Sequence, residues 1–170
     1  NIAIQNYKKS LNVVKSEKMD AVAKQQMQSN NYFNISDTYR LQGKYDSAYV
    51  YLNKNKSLYK VLKSPNNFAE EASVYMKIGQ YFTEKNTLDS AAVYINKSLT
   101  LLQGKNHIYE SQALKYKGDF YNKKGDFPEA IKYGLSAMEV VEKFNDISSE
   151  IEAAQSLQTY YRNVNDYKNL

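Results

Sequence analysis

Cysteine and tryptophan are absent from this 170-residue sequence, histidine occurs once, and there are only 2 prolines and 6 glycines. Without cysteine the chain can form no disulfide and offers no thiolate for catalysis or metal binding. A single histidine, His107, cannot on its own provide the spaced ligands of a metal site. An all-β fold would need many more turn-forming residues. The composition therefore favours helices.

Long hydrophobic runs and blocks of charge are also missing. No apolar run approaches the roughly 20 residues that cross a membrane, and the first five residues lack the basic and apolar regions of a signal peptide. The 23 Lys and Arg are interleaved with 18 Asp and Glu, which indicates a mildly basic, solvated surface. Either the cytoplasm or the periplasm fits this sequence. The sequence does not begin with methionine, as in a mature or excised fragment, and both of its ends fall inside a repeated unit described below, so we expect a fragment of a longer protein.

One nine-residue sequence occurs twice. Residues 46–54 (DSAYVYLNK) and 89–97 (DSAAVYINK) are identical at seven of nine positions. Self-similarity at a fixed interval predicts stacked copies of one supersecondary unit. We interpret the repeated sequence as the start of a helix that packs one hairpin on the next.

Apolar residues at intervals of three and four predict amphipathic helices along the whole chain. Gly43, Asn86 and Gly125 mark turns between them, and Thr87 and Asp126 are predicted N-caps, with Pro128 in the first turn after Asp126. The predicted helices span about 1–15, 17–42, 45–62, 67–85, 88–103, 108–124, 127–144 and 148–164.

The turns share a register of small and large residues. Each is followed by an aromatic residue or Leu and, three positions later, usually by Ala: Tyr45 and Ala48, Leu88 and Ala91, Phe127 and Ala130. Four residues before each turn stands an aromatic, namely Tyr39, Phe82, Tyr121 and Tyr161, and three positions further back lie Ser36, Gly79 and Gly118. We expect the small residues to let the two helices of a hairpin approach, and the aromatics to fill the space between one hairpin and the next.

These features resemble the tetratricopeptide repeat family. The sequences GKYDSA at 43–48 and GDFPEA at 125–130 are similar to its turn and second-helix start. The resemblance implies an all-α, right-handed superhelical array of antiparallel helix hairpins over the single domain 1–170. It divides the chain into a half repeat 1–15, repeats at about 17–64, 67–103 and 107–144, and a partial repeat 148–170. These units exceed the usual length of about 34 residues, as in long-repeat bacterial regulators.

In this family the first helices of successive hairpins line a concave groove, so exposed first-helix residues are the implied binding residues. By register these are Asn34, Asp37, Arg40, Met76, Gln80, Thr83, Lys115, Asp119, Asn122, Gln155, Thr159 and Arg162. The family's carboxylate clamp needs Asn where Lys115 is followed by Asp119, so a receptor for chaperone tails is disfavoured. Arg40, Lys115 and Arg162 still favour an acidic segment.

No motif points to catalysis, a cofactor or a metal. The 17 tyrosines are interpreted as interior residues rather than stacking platforms for nucleic acid, so no direct nucleic-acid contact is expected. The resemblance implies a non-enzymatic module that binds a protein or peptide segment, as the sensory part of a larger bacterial regulator. Two alternatives remain: a phosphatase-type array acting on a response regulator through His107 or Gln80, and a purely structural scaffold. Uncovered terminal helices would allow a homo-oligomer.

Overall fold

The computed structural model describes residues 2–61 and 67–165, with the backbone alone at 60 and 61. These residues form α-helices joined by short turns, and no strand occurs among them. In chain order the helices are α1 (Ile2–Ser16), α2 (Ala21–Leu41), α3 (Tyr45–Val61), α4 (Phe68–Glu84), α5 (Leu88–Leu102), α6 (Tyr109–Lys124), α7 (Phe127–Phe144) and α8 (Ile147–Asn163). The predicted all-α fold of repeated helices is confirmed.

The largest difference in helix bounds is at the start of α2, predicted near residue 17 and observed at Ala21. Asp20 caps this helix, because its carboxylate accepts hydrogen bonds from the amides of Val22 at 2.9 Å and Ala23 at 3.0 Å. The cap satisfies two of the amides that lack a partner in the first helical turn. The periodicity of the apolar residues could not place this boundary, since it continues through residues 17–20.

The chain divides into two compact units, Asn1–Asn67 and Phe68–Leu170. In the first unit α2 packs against both α1 and α3. In the second unit α4 pairs with α5 and α6 pairs with α7, while α6 also contacts both α4 and α5. Helix α8 contacts α6 and α7. Successive hairpins are therefore stacked within the second unit.

The turn that ends the first helix of a hairpin has the same form in three places. Its central residue has a left-handed backbone, with φ of +70° at Gly43, +58° at Asn86 and +84° at Gly125. The following amide donates to the carbonyl five residues earlier: Lys44 N to Tyr39 O at 2.9 Å, Thr87 N to Phe82 O at 2.8 Å and Asp126 N to Tyr121 O at 2.9 Å. This is the Schellman motif, which provides partners for the last helical carbonyls.

The two predicted N-caps differ. The Asp126 carboxylate accepts from the Glu129 amide at 3.4 Å, and Pro128 lies in the first turn of α7, both as predicted. Thr87 occupies the cap position of α5, but its hydroxyl makes no capping hydrogen bond. The predicted position of the cap is therefore correct, but the predicted side-chain hydrogen bond is absent. Thr87 contributes only its backbone carbonyl, which accepts from the Ala91 amide at 3.1 Å.

The two units have different cores. Buried residues of the second unit are mainly apolar, among them Ile78, Ile95 and Leu102, each 0% exposed. The first unit also buries several polar side chains, namely Gln25, Ser29, Asn31, Ser36 and Asn55. Three hydrogen bonds join α2 to α3: Gln25 Nε2 donates to Leu58 O at 3.0 Å, Asn55 Nδ2 to Ser29 O at 3.2 Å and the Tyr59 hydroxyl to Ser29 Oγ at 3.1 Å. Asn31 Nδ2 instead donates to Ser10 Oγ of α1 at 3.1 Å.

Candidate functional site

Stacked aromatic pairs close each of three hairpins. The ring centroids are 5.9 Å apart for Tyr39 and Tyr51, 5.7 Å for Phe82 and Tyr94, and 5.4 Å for Tyr121 and Tyr133. Each pair joins the first helix of a hairpin to the second helix of the same hairpin. These aromatics therefore pack within hairpins, and Phe82 and Tyr121 also lie against the cluster of Ala91, Ile95 and Phe120 that joins α5 to α6, so the expectation that they fill the space between hairpins is only partly correct.

In α6 and α8 the aromatic one position before Tyr121 and Tyr161 packs against the preceding hairpin. Phe120 of α6 is buried against Ala91 and Ile95 of α5. Tyr160 of α8 is 1% exposed, and it lies over Gly118 and Gly134. A Cβ atom added at Gly118 would be 2.8 Å from the Tyr160 hydroxyl oxygen, and one at Gly134 would be 3.1 Å from Tyr160 Cε2.

The two helical glycines singled out from the sequence have different roles. A Cβ at Gly79 would lie 2.6 Å from Ile95 Cγ1, so this glycine lets α4 approach α5 of its own hairpin, as predicted. Gly118 instead admits Tyr160, which belongs to α8. The predicted approach within a hairpin is thus correct at Gly79 and wrong at Gly118.

Hydrogen bonds fix α8 against α6. The Tyr160 hydroxyl donates to two acceptors, Asp119 Oδ1 at 2.7 Å and Lys115 O at 3.2 Å. Asp119 Oδ2 pairs with Lys115 Nζ at 3.2 Å, and Asn163 Nδ2 donates to Asn122 Oδ1 at 2.7 Å. These contacts hold α6 and α8 side by side, and both helices carry polar side chains on their exposed surface.

Burial and charge shift two pKa values in this cluster. Burial, and next the negative charge of Asp119 together with the hydrogen bond to it, raise the pKa of Tyr160 far above its ordinary value of 10.0. Burial lowers the pKa of Lys115, but attraction to Asp119, Tyr116 and Glu152 outweighs it and the pKa is raised. Both groups therefore keep their protons at neutral pH.

Most of the predicted groove residues of the second unit lie at or near the surface of α6 and α8. Gln155, Thr159 and Arg162 are exposed, and Lys115, Asp119 and Asn122 are partly exposed. Between α6 and α8, beside Lys115 and Glu152, a shallow depression is too narrow for a water-sized molecule. This depression therefore offers no room for a ligand between the two helices.

The predicted groove residues on α4 need correction. Met76 is 1% exposed and packs with Ala72, Leu102 and Ala113. Thr83 is 7% exposed, and its hydroxyl donates to Gly79 O at 3.0 Å. Both side chains lie in the interior of the second unit and line no surface. Gln80 is half-buried and its amide donates to Glu84 Oε1 at 3.0 Å.

In the first unit Asn34 is exposed, and Asp37 and Arg40 are partly exposed. Arg40 Nε lies 3.4 Å from Asp37 Oδ1, much as Lys115 pairs with Asp119. Two of the three cations expected to attract an acidic ligand thus already have a carboxylate beside them. Asp119 also neutralises the lysine that a carboxylate clamp would need.

His107 lies between α5 and α6, where it makes a hydrogen bond and two aromatic contacts. Its Nδ1 accepts from the Tyr109 amide at 3.2 Å, and its ring meets the rings of Phe68 and Tyr109 edge-on at 5.6 and 4.8 Å. No group of three or more metal-ligating side chains occurs in the parts of the chain that the structure describes. Among those parts, no helix is both long and apolar enough to span a bilayer.

Sequence reasoning missed Tyr160 and Asn163 as the residues that attach α8 to α6. The signal for Tyr160 was present, because aromatic doublets recur five and four residues before the turns: 81–82, 120–121 and 160–161. The rings of the first two doublets meet edge-on, at 5.0 and 5.1 Å. Asn163 has no comparable signal.

Comparison with known proteins identifies the repeat. Residues 29–59, which cover much of α2 and α3, match the tetratricopeptide repeat family. The crystal structure of BtubC (BKLC) from P. vanneervenii is similar to this chain, with a TM-score of 0.70 and 14% identity over 96% of the chain. This chain spans 65% of the length of BtubC.

A second similar structure is a putative kinesin light chain from Podospora anserina with nearly identical TPR-like repeats. Its TM-score is 0.61, with 10% identity over 97% of this chain and 79% of that one. No curated protein matches the sequence. At these identities the likeness shows the fold, an array of repeated helix hairpins.

Proposed function

We propose that this chain, whose residues 29–59 match the tetratricopeptide repeat family, belongs to that family and binds a segment of a partner protein along the exposed side of its first helices. Repeats of this family are protein–protein interaction modules and generally act as non-enzymatic scaffolds.

The attachment of α8 to α6 is the observation that carries the proposal. Tyr160 and Asn163 each connect these helices by a hydrogen bond of 2.7 Å, so α6 and α8 are fixed relative to each other before a ligand arrives. A surface whose helices are already fixed loses less conformational entropy on binding. This supports the two helices as the surface that recognises an extended segment.

Charge narrows the class of ligand. Arg162 is exposed on α8, whereas the ammonium of Lys115 is largely neutralised by Asp119. We expect the bound segment to place an acidic side chain at Arg162 and to exchange neutral hydrogen bonds with Gln155 and Asn122. We expect Lys115 to contribute less to the binding of an acidic segment than an unpaired lysine would.

Site-specific photo-crosslinking tests the surface. A photoreactive residue replacing Thr159 on α8 should capture a discrete partner from cells of the source organism, while one replacing Glu139, exposed on α7, should not. With that partner, Arg162→Ala should weaken binding by about fivefold, the effect of one exposed charge pair of roughly 1 kcal/mol. Equal capture at both positions, or no capture at either, would contradict the proposal.

We further propose that the module is the interaction region of a bacterial regulator in signal transduction or transcription control. The support for this setting is the resemblance to long-repeat regulatory arrays. Identification of the captured protein tests it, because a partner outside any signalling or transcription system would remove the regulatory setting while leaving the binding surface intact.

A further inference from the structure

The nine-residue sequence that occurs twice combines packing residues with exposed ones, since Tyr51 and Tyr94 stack within their hairpins. Among its seven shared residue types, only the alanine, Ala48 and Ala91, is buried in both copies. The shared valines, Val50 and Val93, are each 50% exposed, and the shared lysines, Lys54 and Lys97, are both exposed.

The helices that precede the two copies have diverged. Over residues 25–43 and 68–86, at the same interval, only Tyr32 matches Tyr75 and Ile35 matches Ile78. Packing accounts for the shared alanine and tyrosine, but it does not account for the shared exposed residues, Val50 and Val93 or Lys54 and Lys97. The two copies are here named the α3 strip (Val50, Asn53, Lys54) and the α5 strip (Val93, Asn96, Lys97).

The α5 strip borders an open depression of about 420 Å³ on the surface of the second unit. Glu71 and Tyr75 of α4 form one side, and the strip with Thr100 and Leu101 forms the other. Val93, Leu101 and the Tyr75 ring give the depression an apolar wall.

Two hydrogen-bond donors stand beside this wall. Lys97 Nζ lies 5.3 Å from the ring centroid of Tyr94 and 5.9 Å from that of Tyr75, and no carboxylate of the described residues pairs with it. Asn96 Oδ1 accepts from Lys117 Nζ at 3.2 Å, so its NH₂ group is the part that can serve a ligand. The Glu71 carboxylate instead accepts from the Tyr75 hydroxyl at 3.1 Å.

We propose that each strip binds an extended, acidic segment of a partner protein in which an aliphatic side chain adjoins a carboxylate. At the α5 strip the aliphatic side chain lies in the depression against Val93 and Leu101, and the carboxylate pairs with the Lys97 ammonium. Charge complementarity selects this occupant, because Lys97 has no carboxylate partner among the described residues and lies next to an apolar wall, while the Glu71 carboxylate on the opposite side is hydrogen-bonded to the Tyr75 hydroxyl. At the α3 strip, Lys54 Nζ lies 4.7 Å from the Tyr51 ring centroid and offers the same charge.

A blocked hexapeptide of alternating leucine and glutamate serves as the probe. Titrated into the isotope-labelled full chain, it should shift the amide resonances of α5 around residues 93–101 and those of α3 around 50–58. The matched peptide with glutamine in place of glutamate should bind about tenfold more weakly, since it loses a charge-assisted hydrogen bond.

Charge variants assign the sites separately. Lys97→Gln should abolish the α5 shifts and leave those of α3, and Lys54→Gln should do the reverse. Lys143→Gln, an equal change of charge at an exposed position of α7, should alter neither. Lys115→Gln, within the surface proposed above for partner binding, should also leave both sets of shifts in place, which separates the two proposals.

Several results would overturn the inference. These are shifts confined to α6 and α8, binding unchanged by Lys97→Gln, and no shift with the wild-type chain. Displacement of the peptide by millimolar inorganic phosphate would identify a general anion site instead of a peptide site.

Discussion

Tyr160 shows how one side chain sets the distance between helices. It fills the space that two glycines leave on α6 and α7, and its hydroxyl reaches Asp119 at 2.7 Å. An added Cβ at Gly118 would overlap its ring, so the fit depends on a large residue meeting a missing one. The Tyr160 hydroxyl adds a polar anchor to this packing.

The predicted effect of Tyr160→Phe is a loss of about 1 kcal/mol of unfolding free energy at pH 7, since Asp119 is left without one donor. The pKa of Tyr160 is raised in the folded chain, so its contribution to stability is complete below its ordinary value of 10.0 and is lost as pH rises above it. The wild-type advantage over Tyr160→Phe should therefore shrink by roughly 1.4 kcal/mol per pH unit above that value.

Chemical denaturation of both proteins between neutral and alkaline pH measures this difference. Lys115 and the other tyrosines are common to the two proteins, so their titration largely cancels in the comparison. A constant difference across the whole pH range would show that Tyr160 ionises normally in the folded chain.

At the residue scale, the sequence could predict only part of the candidate site. Periodicity on α8 correctly gave exposed positions such as Thr159 and Arg162. It failed at Met76, because the residues that cover this side chain, Leu102 and Ala113, come from α5 and α6. The periodicity of a helix predicts which of its own residues share a face. Whether that face is buried depends on how closely the neighbouring helices approach.

Turns at the element scale were predicted well because their chemistry is local. Gly43, Asn86 and Gly125 were identified from residue type and spacing, and all three have the left-handed backbone expected of them. Their capping hydrogen bonds lie within six consecutive residues. The role of the aromatics was harder to predict, because stacking within a hairpin and insertion between hairpins need the same residue types at adjacent positions.

Substitution at Gly125 tests this conformational requirement. Gly125→Ala should lower the unfolding free energy by about 1 kcal/mol, because an alanine pays the left-handed backbone cost in full. No atom lies within 4 Å of the added Cβ, so steric overlap adds nothing. Gly125→Asn should cost only a few tenths of a kcal/mol, as Asn86 and Asn165 adopt the same backbone.

Thermal denaturation of the two variants beside wild type measures these effects. The asparagine variant is the matched control for adding a side chain at this turn. Equal destabilisation by both residues would mean that the cost comes from the presence of a side chain rather than from backbone geometry.

At the scale of the whole molecule, the two units differ in how their interiors are satisfied. The second unit relies on apolar packing, while the first buries several amides and hydroxyls between α2 and α3. Asn55 is the extreme case: it is 0% exposed, and its Oδ1 has no hydrogen-bond partner among the described residues. At the matching position of α5, Ser98 is satisfied by donating to Ile95 O at 2.7 Å.

A buried acceptor without a partner costs free energy, so Asn55→Leu should stabilise the first unit by about 1 kcal/mol. The side chains have similar volume, and Ser29 O, which loses the Asn55 amide, lies within α2, where the helical hydrogen bonds continue. Amide hydrogen exchange in α2 and α3 should slow by about fivefold. Amides of α4 to α7 in the same sample provide the internal control, and their exchange should not change. Faster exchange in α2 and α3 would show that the single bond to Ser29 outweighs the unsatisfied oxygen, making the polar core of this unit a net source of its stability.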